Sequence, residues 1–193
     1  QFYEKVNDST LSFINQPKPR GTGDAVRRVK DFTGNQPFIL HMGDDLVLSR
    51  EENSHLKRLI RVFDERKADA AFLATRVKDP TMYGVIVGKQ IAEGLHDVET
   101  IVYKPKVPPS NLSDVTAYLL KPNIYSEIKK VKANKESGEV SLIPAIQSLI
   151  NGGGRVYAVE LQKGEKRIDI GNARLYWQAL DATYKLYGGA RSS

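Results

Sequence analysis

The chain has 193 residues, 40% of them hydrophobic and 27% charged, which is enough for one large domain with a real core and ordinary for a globular protein. It contains no cysteine, which excludes disulfides, cysteine-zinc sites and thiol nucleophiles, and no run near the ~18 apolar residues of a membrane span. The net charge of +6 suits polyanionic ligands such as nucleotides or sugar phosphates, but the basic residues are scattered and not interleaved with aromatics, so no nucleic-acid recognition motif is present.

In chain order, Leu11 to Asn15 reads as a strand, followed by a Pro/Gly-rich loop from Gln16 to Gly23 and a short helix from Asp24 to Asp31. Pro37 to Met42 is a continuous apolar run that suits a buried parallel strand, with His41 expected in the core. Ser49 to Ala68 predicts a helix: Ser49 with Glu52 three residues on forms a capping box, and Leu56, Leu59, Ile60 and Phe63 share one face. Strands follow at Asp69 to Val77, Tyr83 to Gly88, Val98 to Lys104 and Asp114 to Leu120, with a proline-bearing loop from Lys106 to Asn111. Helices are expected at Asn123 to Ala133 and Val140 to Asn151, the latter stopped by Gly152-Gly153-Gly154. Strands at Arg155 to Leu161 and Lys166 to Ile170 lead to an amphipathic helix from Asn172 to Tyr187. Short β-rich runs alternating with helical ones are the signature of an α/β domain. The expected organisation is one domain over 1–187 and a frayed tail over 188–193.

Four segments carry chemistry. Gln16 to Val26 is a glycine-bearing loop running into a helix, which reads either as a place where a flat ligand approaches the backbone or as a tight turn. Gly43-Asp44-Asp45 ends an apolar strand, where carboxylates either hold Mg²⁺ or cap the next turn. Lys104, at the end of a strand, can neutralise a phosphate as a point charge or stand as an exposed edge lysine. In Arg167-Ile168-Asp169-Ile170-Gly171-Asn172 the alternation sets Asp169 opposite two isoleucines, facing a cleft or capping a helix.

Taken in order, these segments, with Tyr83-Gly84-Val85, Lys104-Pro105, Ser110-Asn111 and Gly138-Glu139, resemble the sugar nucleotidylyltransferase family along essentially the whole chain. Within it, Asp169-Ile170-Gly171-Asn172 with Leu175-Tyr176 resembles the branch that transfers a uridylyl group to glucose 1-phosphate. The resemblance implies a Rossmann-like mixed sheet flanked by helices, the nucleotide-diphospho-sugar transferase fold. It implies that Gln16 and Gly21 read a pyrimidine base, that Asp44 and Asp169 hold Mg²⁺ against the phosphates, that Lys104 grips the sugar phosphate, and that Gly84 and Glu139 line the sugar pocket. The catalytic set would be Asp44, Lys104 and Asp169, with UTP or dTTP and a sugar 1-phosphate as ligands and no nucleic acid or membrane as partner. The absence of cysteine fits a cytoplasmic setting, and the family's frequent dimers and tetramers make a homo-oligomer an expectation.

The sequence departs from the family in three ways, one of them Ile143-Pro144 where the family often has Thr-Asp. It opens at Gln1 without the Gly-rich triphosphate loop G-x-G-T-R-x-x-P, which implies a domain incomplete at its N-terminus and weak or absent turnover by this chain alone. It also carries Tyr103-Lys104-Pro105 where the family has Glu-Lys-Pro. Alternative readings are a glucose-1-phosphate thymidylyltransferase, a non-catalytic sugar-nucleotide-binding domain, and a glycosyltransferase sharing the Asp-bearing strand end.

Overall fold

The computed structural model describes residues 2–49 and 51–188. Its centre is a six-stranded mixed sheet in the order β1-β6-β3-β7-β5-β4. These strands are β1 (Phe38–His41), β3 (Ala70–Arg76), β4 (Gly84–Ala92), β5 (Leu95–Tyr103), β6 (Leu112–Leu120) and β7 (Val156–Glu160). Only the β3–β7 pair is parallel; all the other pairings are antiparallel. Strands β2 (Asp45–Leu48) and β8 (Lys166–Asp169) form a separate antiparallel ribbon, with Asp45 opposite Asp169.

Helices cover both faces of the sheet. On one, α4 (Ser54–Glu65) buries Leu59 and Phe63 against Ala71, Leu73, Val115 and Leu119. On the other, α2 (Thr22–Arg28), α5 (Ile124–Lys130) and α6 (Ile143–Asn151) pack Val26, Ile124, Ile128 and Ile146 over Phe72, Ile86 and Tyr118. Pro144 lies in the first turn of α6, where its missing N–H is no loss. Short helices α1 (Phe2–Asn7) and α3 (Lys30–Thr33), and the final helix α7 (Ala173–Tyr187), complete the chain. This is the flanked mixed sheet that the family resemblance implies.

The expected strand over Leu11 to Asn15 does not form. No neighbouring strand offers it a ladder, and Leu11 and Phe13 are 67% and 95% exposed. The run from Pro37 to Met42 forms β1, but as an antiparallel edge strand, not a buried parallel one. Its one partner is β6, so burial alternates, and His41 faces out with Ile39. The long helix starts five residues later than expected. Ser49 Oγ donates to the Glu51 carbonyl instead of capping, and the N-terminal residue Asn53 sits at φ 55°. The ribbon strand β2 was not expected at all. Asn172 caps α7 as its position suggests, its side-chain oxygen accepting the Leu175 N–H at 3.0 Å. Of the tail, Gly188 is described, and 189–193 lie outside the described residues.

Candidate functional site

The chemistry-bearing residues gather where three strand ends and two loops meet. A cleft of about 260 Å³ is lined by Thr22, Asp44, Gly84, Lys104, Asp114 and Arg167, among others. A larger groove of about 730 Å³ lies by Arg58, Arg76 and Glu160. Its two arginines are tied up in internal ion pairs, Arg58 with Glu165 and Arg76 with Glu160, and none of the expected site residues lies there.

The ribbon carries the carboxylates. Asp44 precedes β2 and its carbonyl accepts the Ile170 N–H at 2.7 Å, which fastens the end of β8 beside it. A methyl placed on Gly171 would lie 3.1 Å from Asp169 Oδ1 and 3.8 Å from Asp44 Oδ2, so the two carboxylates flank one point of the backbone. Arg167, two residues before Asp169 and on the same face of β8, ties this corner together. Its Nη2 lies 2.7 Å from Asp45 Oδ1 and 3.6 Å from Asp169 Oδ2, and its Nη1 donates to the Tyr83 hydroxyl at 3.0 Å. Burial would lower the Arg167 pKa, but the hydrogen bond and charge of Asp45 outweigh it and raise it. Asp45 is thereby closely paired with Arg167, whereas Asp169 lies farther from it and accepts the Gly171 N–H at 2.8 Å through Oδ1, so Asp44 and Asp169 are the pair that could meet a cation. Among the described residues no three His, Cys, Asp or Glu side chains converge as a cage. Two carboxylates with open positions fit Mg²⁺, which keeps waters and takes phosphate oxygens, better than a structural zinc site.

Lys104 stands at the end of β5 with φ 44°, left-handed backbone that is uncommon for a residue with a side chain. Its N–H donates to the Tyr83 carbonyl at 2.9 Å and its Nζ lies 5.1 Å from the Tyr103 ring centroid, a cation–π contact. Strained backbone of this kind clusters where a side chain must be aimed at a ligand.

Beneath the cleft lies a buried acid that sequence reasoning missed. Asp114 on β6 accepts the Gly84 N–H at 2.7 Å through Oδ1 and the Tyr118 hydroxyl through Oδ2. Burial pushes its pKa up to about 6 against the pull of those hydrogen bonds. Tyr118 is raised well above its ordinary value, first by burial and then by the Asp114 charge. Only glycine fits at position 84, because a Cβ there would stand 2.6 Å from Asp114 Oδ1. The only signal in the sequence was a polar residue in an apolar strand with a tyrosine four residues on.

The Gln16 loop borders the cleft through Thr22. It is zipped to the segment before α6: Val140 N–H donates to Arg20 O at 2.7 Å, Gly23 N–H to Val140 O at 2.8 Å, and Leu142 N–H to Thr22 Oγ1 at 3.1 Å. Gly21, at φ 89°, is held so close that a Cβ would meet the Val140 carbonyl at 2.7 Å. Glu139 is exposed on the same rim, its Cβ 3.1 Å from that position. The structure thus brings Asp44, Gly84, Lys104 and, through the ribbon, Asp169 to one cleft. Gln16, Gly21 and Glu139 stand together at the adjoining loop.

Residues 3–185 match the family model described as nucleotidyl transferase. The chain is 39% identical over 176 residues to UTP–glucose-1-phosphate uridylyltransferase 2 of Streptococcus pyogenes serotype M3, covering 88% of this chain and 57% of that protein. It is 34% identical over 173 residues to a Bacillus subtilis (strain 168) protein named putative UTP–glucose-1-phosphate uridylyltransferase, covering 89% and 62%. Among solved structures, a UDP-glucose pyrophosphorylase complexed with UDP-glucose superposes with a TM-score of 0.85 at 27% identity, over 94% of this chain and 69% of that one. The chain therefore spans somewhat more than half the length of these curated relatives.

Proposed function

The chain belongs to the nucleotidyl transferase family, and from that premise we propose that it carries the acceptor and metal half of a site that joins UTP to glucose 1-phosphate, giving UDP-glucose and pyrophosphate. The names of its relatives favour this choice of substrates. The observation that carries the reading is the meeting of the Asp44 and Asp169 carboxylates in the corner beside the strained Lys104.

A phosphate oxygen of glucose 1-phosphate attacks the α-phosphorus of UTP. The new P–O bond forms as the bond to the β-phosphate oxygen breaks, and pyrophosphate leaves with the electron pair. No covalent enzyme intermediate is needed, so the protein contributes position and charge. Lys104 would hold the sugar phosphate as a point charge. Asp44 and Asp169 would hold Mg²⁺, which when bound supplies positive charge to the phosphates. Arg167 keeps Asp45 out of that role and steadies Asp169. Gln16 and Gly21 would meet the base, and Gly84 and Glu139 the sugar. Among the described residues no helix is long and apolar enough to cross a membrane, and we assign the reaction to the cytoplasm, where UTP is made and used.

The test is thermal unfolding of the chain with UDP-glucose, with and without Mg²⁺. Ligand at 100 times its Kd adds ~2.7 kcal/mol, a rise of roughly 5–10 °C for a domain of this size. A rise that Mg²⁺ enhances, and that Asp44→Asn loses, is expected. Binding indifferent to both Mg²⁺ and Asp44→Asn would remove the carboxylates from the metal role.

A further inference from the structure

Gln16 is held so that only one end of its amide can face a ligand. Its Nε2 donates to Asp24 Oδ2 at 2.8 Å and to the Gly21 carbonyl at 3.3 Å. A carboxylate and a peptide carbonyl accept and cannot donate. Turning the amide over would set its oxygen against two other oxygens. The two N–H bonds are thus spent within the protein, and Oε1 is the polar atom that remains.

Asp24 is built to stay ionised in this role. It is 2% exposed, and α2 surrounds it with its own basic residues. Arg27 Nη2 reaches Oδ1 at 2.8 Å and Arg28 Nε reaches Oδ2 at 3.0 Å. The Gln16 hydrogen bond is the largest influence and, with the two arginines, overcomes burial to bring the Asp24 pKa to about 2. Neutral pH therefore never offers Gln16 a protonated partner.

We propose that Asp24 is a positioning residue for base selection. By locking the Gln16 amide with its oxygen outward, it makes the site accept a pyrimidine that carries an N–H at ring position 3, uracil or thymine, and reject cytosine, whose nitrogen there is an acceptor. The inference rests on the reading of Gln16 as a base contact. Uracil and thymine present the same edge, so this device separates both from cytosine and does not separate them from each other. A site that hydrogen-bonds its ligand discriminates strongly against an analogue that leaves the bond unmade, and one such bond corresponds to roughly ten- to hundredfold in affinity.

The test is calorimetric titration of the full chain, in Mg²⁺, with UDP-glucose, CDP-glucose and 3-methyl-UDP-glucose. UDP-glucose should bind at least tenfold more tightly than the other two. In Asp24→Asn the partner can donate as well as accept, so a turned Gln16 amide opposes only the more distant Gly21 carbonyl and its orientation is no longer fixed by a carboxylate. The preference for UDP-glucose over CDP-glucose should then fall toward unity, mainly through tighter CDP-glucose binding. A purely structural role for Asp24 would weaken both ligands in proportion, and an unchanged ratio overturns the proposal. Equal binding of UDP-glucose and its 3-methyl form by the unaltered chain overturns it too, and that comparison stands even where the variant fails to fold. If Gln16→Ala binds UDP-glucose and CDP-glucose with the unaltered chain's affinities, the reading of Gln16 as a base contact falls, and this inference with it.

Discussion

Gly84→Ala should unsettle both the fold and the cleft, and the magnitude follows from what the new methyl meets. The Cβ would stand 2.6 Å from Asp114 Oδ1 and 2.8 Å from its Cγ. Asp114 cannot swing aside freely, because it is buried and holds the Gly84 N–H and the Tyr118 hydroxyl. If the neighbours give way and the hydrogen bonds survive, the cost is that of overpacking, about 1–3 kcal/mol. If the Gly84 bond breaks, the loss of a hydrogen bond to a charged group adds about 1.5–3 kcal/mol. For a domain of this length each kcal/mol lowers the melting point by roughly 2–4 °C, so a fall on the order of 5–15 °C is expected. The assay is thermal unfolding of the wild type, Gly84→Ala, Asp114→Ala and the double variant. Asp114→Ala removes the atoms the methyl strikes, so Gly84→Ala should cost little in that background, with a coupling of ~1–3 kcal/mol. An equal cost for Gly84→Ala in both backgrounds would refute the reasoning.

Asp114 and Glu165 should give pH dependences of opposite sign. Asp114 has its pKa raised by burial from 3.8 to about 6, so its contribution is fully present below about pH 3.8 and is lost as the pH rises through 6. A shift of this size corresponds to ~3 kcal/mol. Asp114→Asn cannot titrate, and chemical denaturation from pH 4 to 8 should show it gaining on the wild type as the pH rises; parallel curves would count against the buried-acid assignment. For Glu165, burial would raise the pKa, but hydrogen bonds from Arg58, Ser54 and the Gln162 N–H prevail and bring it from 4.5 to about 2. Its stabilisation, at most ~3 kcal/mol, is present above pH 4.5 and lost as the pH falls toward 2. Arg58→Met should abolish that acid sensitivity and cost about 3–5 kcal/mol at neutral pH, because it strands a buried carboxylate. Lys104→Gly relieves a φ of 44°, and should leave melting unchanged or raised by up to ~1 kcal/mol, the strain relieved exceeding the chain entropy added. The same variant should weaken glucose 1-phosphate binding at least tenfold, and undiminished binding would take Lys104 out of the phosphate site.

The strands from β3 to β6 were legible because each is a run of apolar and β-branched residues between turn signals, and such runs need only one buried face to declare themselves. Leu11 to Asn15 has the same local pattern and no ladder, because pairing is a property of neighbours and not of the segment. The same limit explains β1: Pro37 to Met42 is apolar at every place a buried strand needs, yet its single partner exposes alternate residues. The Ser49 capping box misled because a serine hydroxyl can equally close a turn on a carbonyl two residues ahead, which is what it does. The candidate site was legible where it lay in short contiguous motifs, as at Asp44, Lys104 and Asp169, which the structure brings to one corner. It was hidden where it depended on residues distant in sequence, as in the contact of Gly84 with Asp114 or of Arg167 with Asp45.

Those hidden contacts set the surroundings of the visible residues. Asp44 and Asp45 are adjacent and chemically identical, and the sequence could not fully separate their roles. The ribbon does so: pairing Asp45 with Asp169 in register brings Arg167, two residues earlier on the same face, against Asp45, and neutralises that carboxylate. Asp44, outside the strand, stands beside Asp169 across Gly171, the position proposed for a cation. A shift of one residue in the β2–β8 register would carry Arg167 to the opposite face of the pair and take it away from Asp45. The different surroundings of the two neighbouring aspartates are therefore set by strand register, and the metal role proposed for Asp44 rests on that alignment.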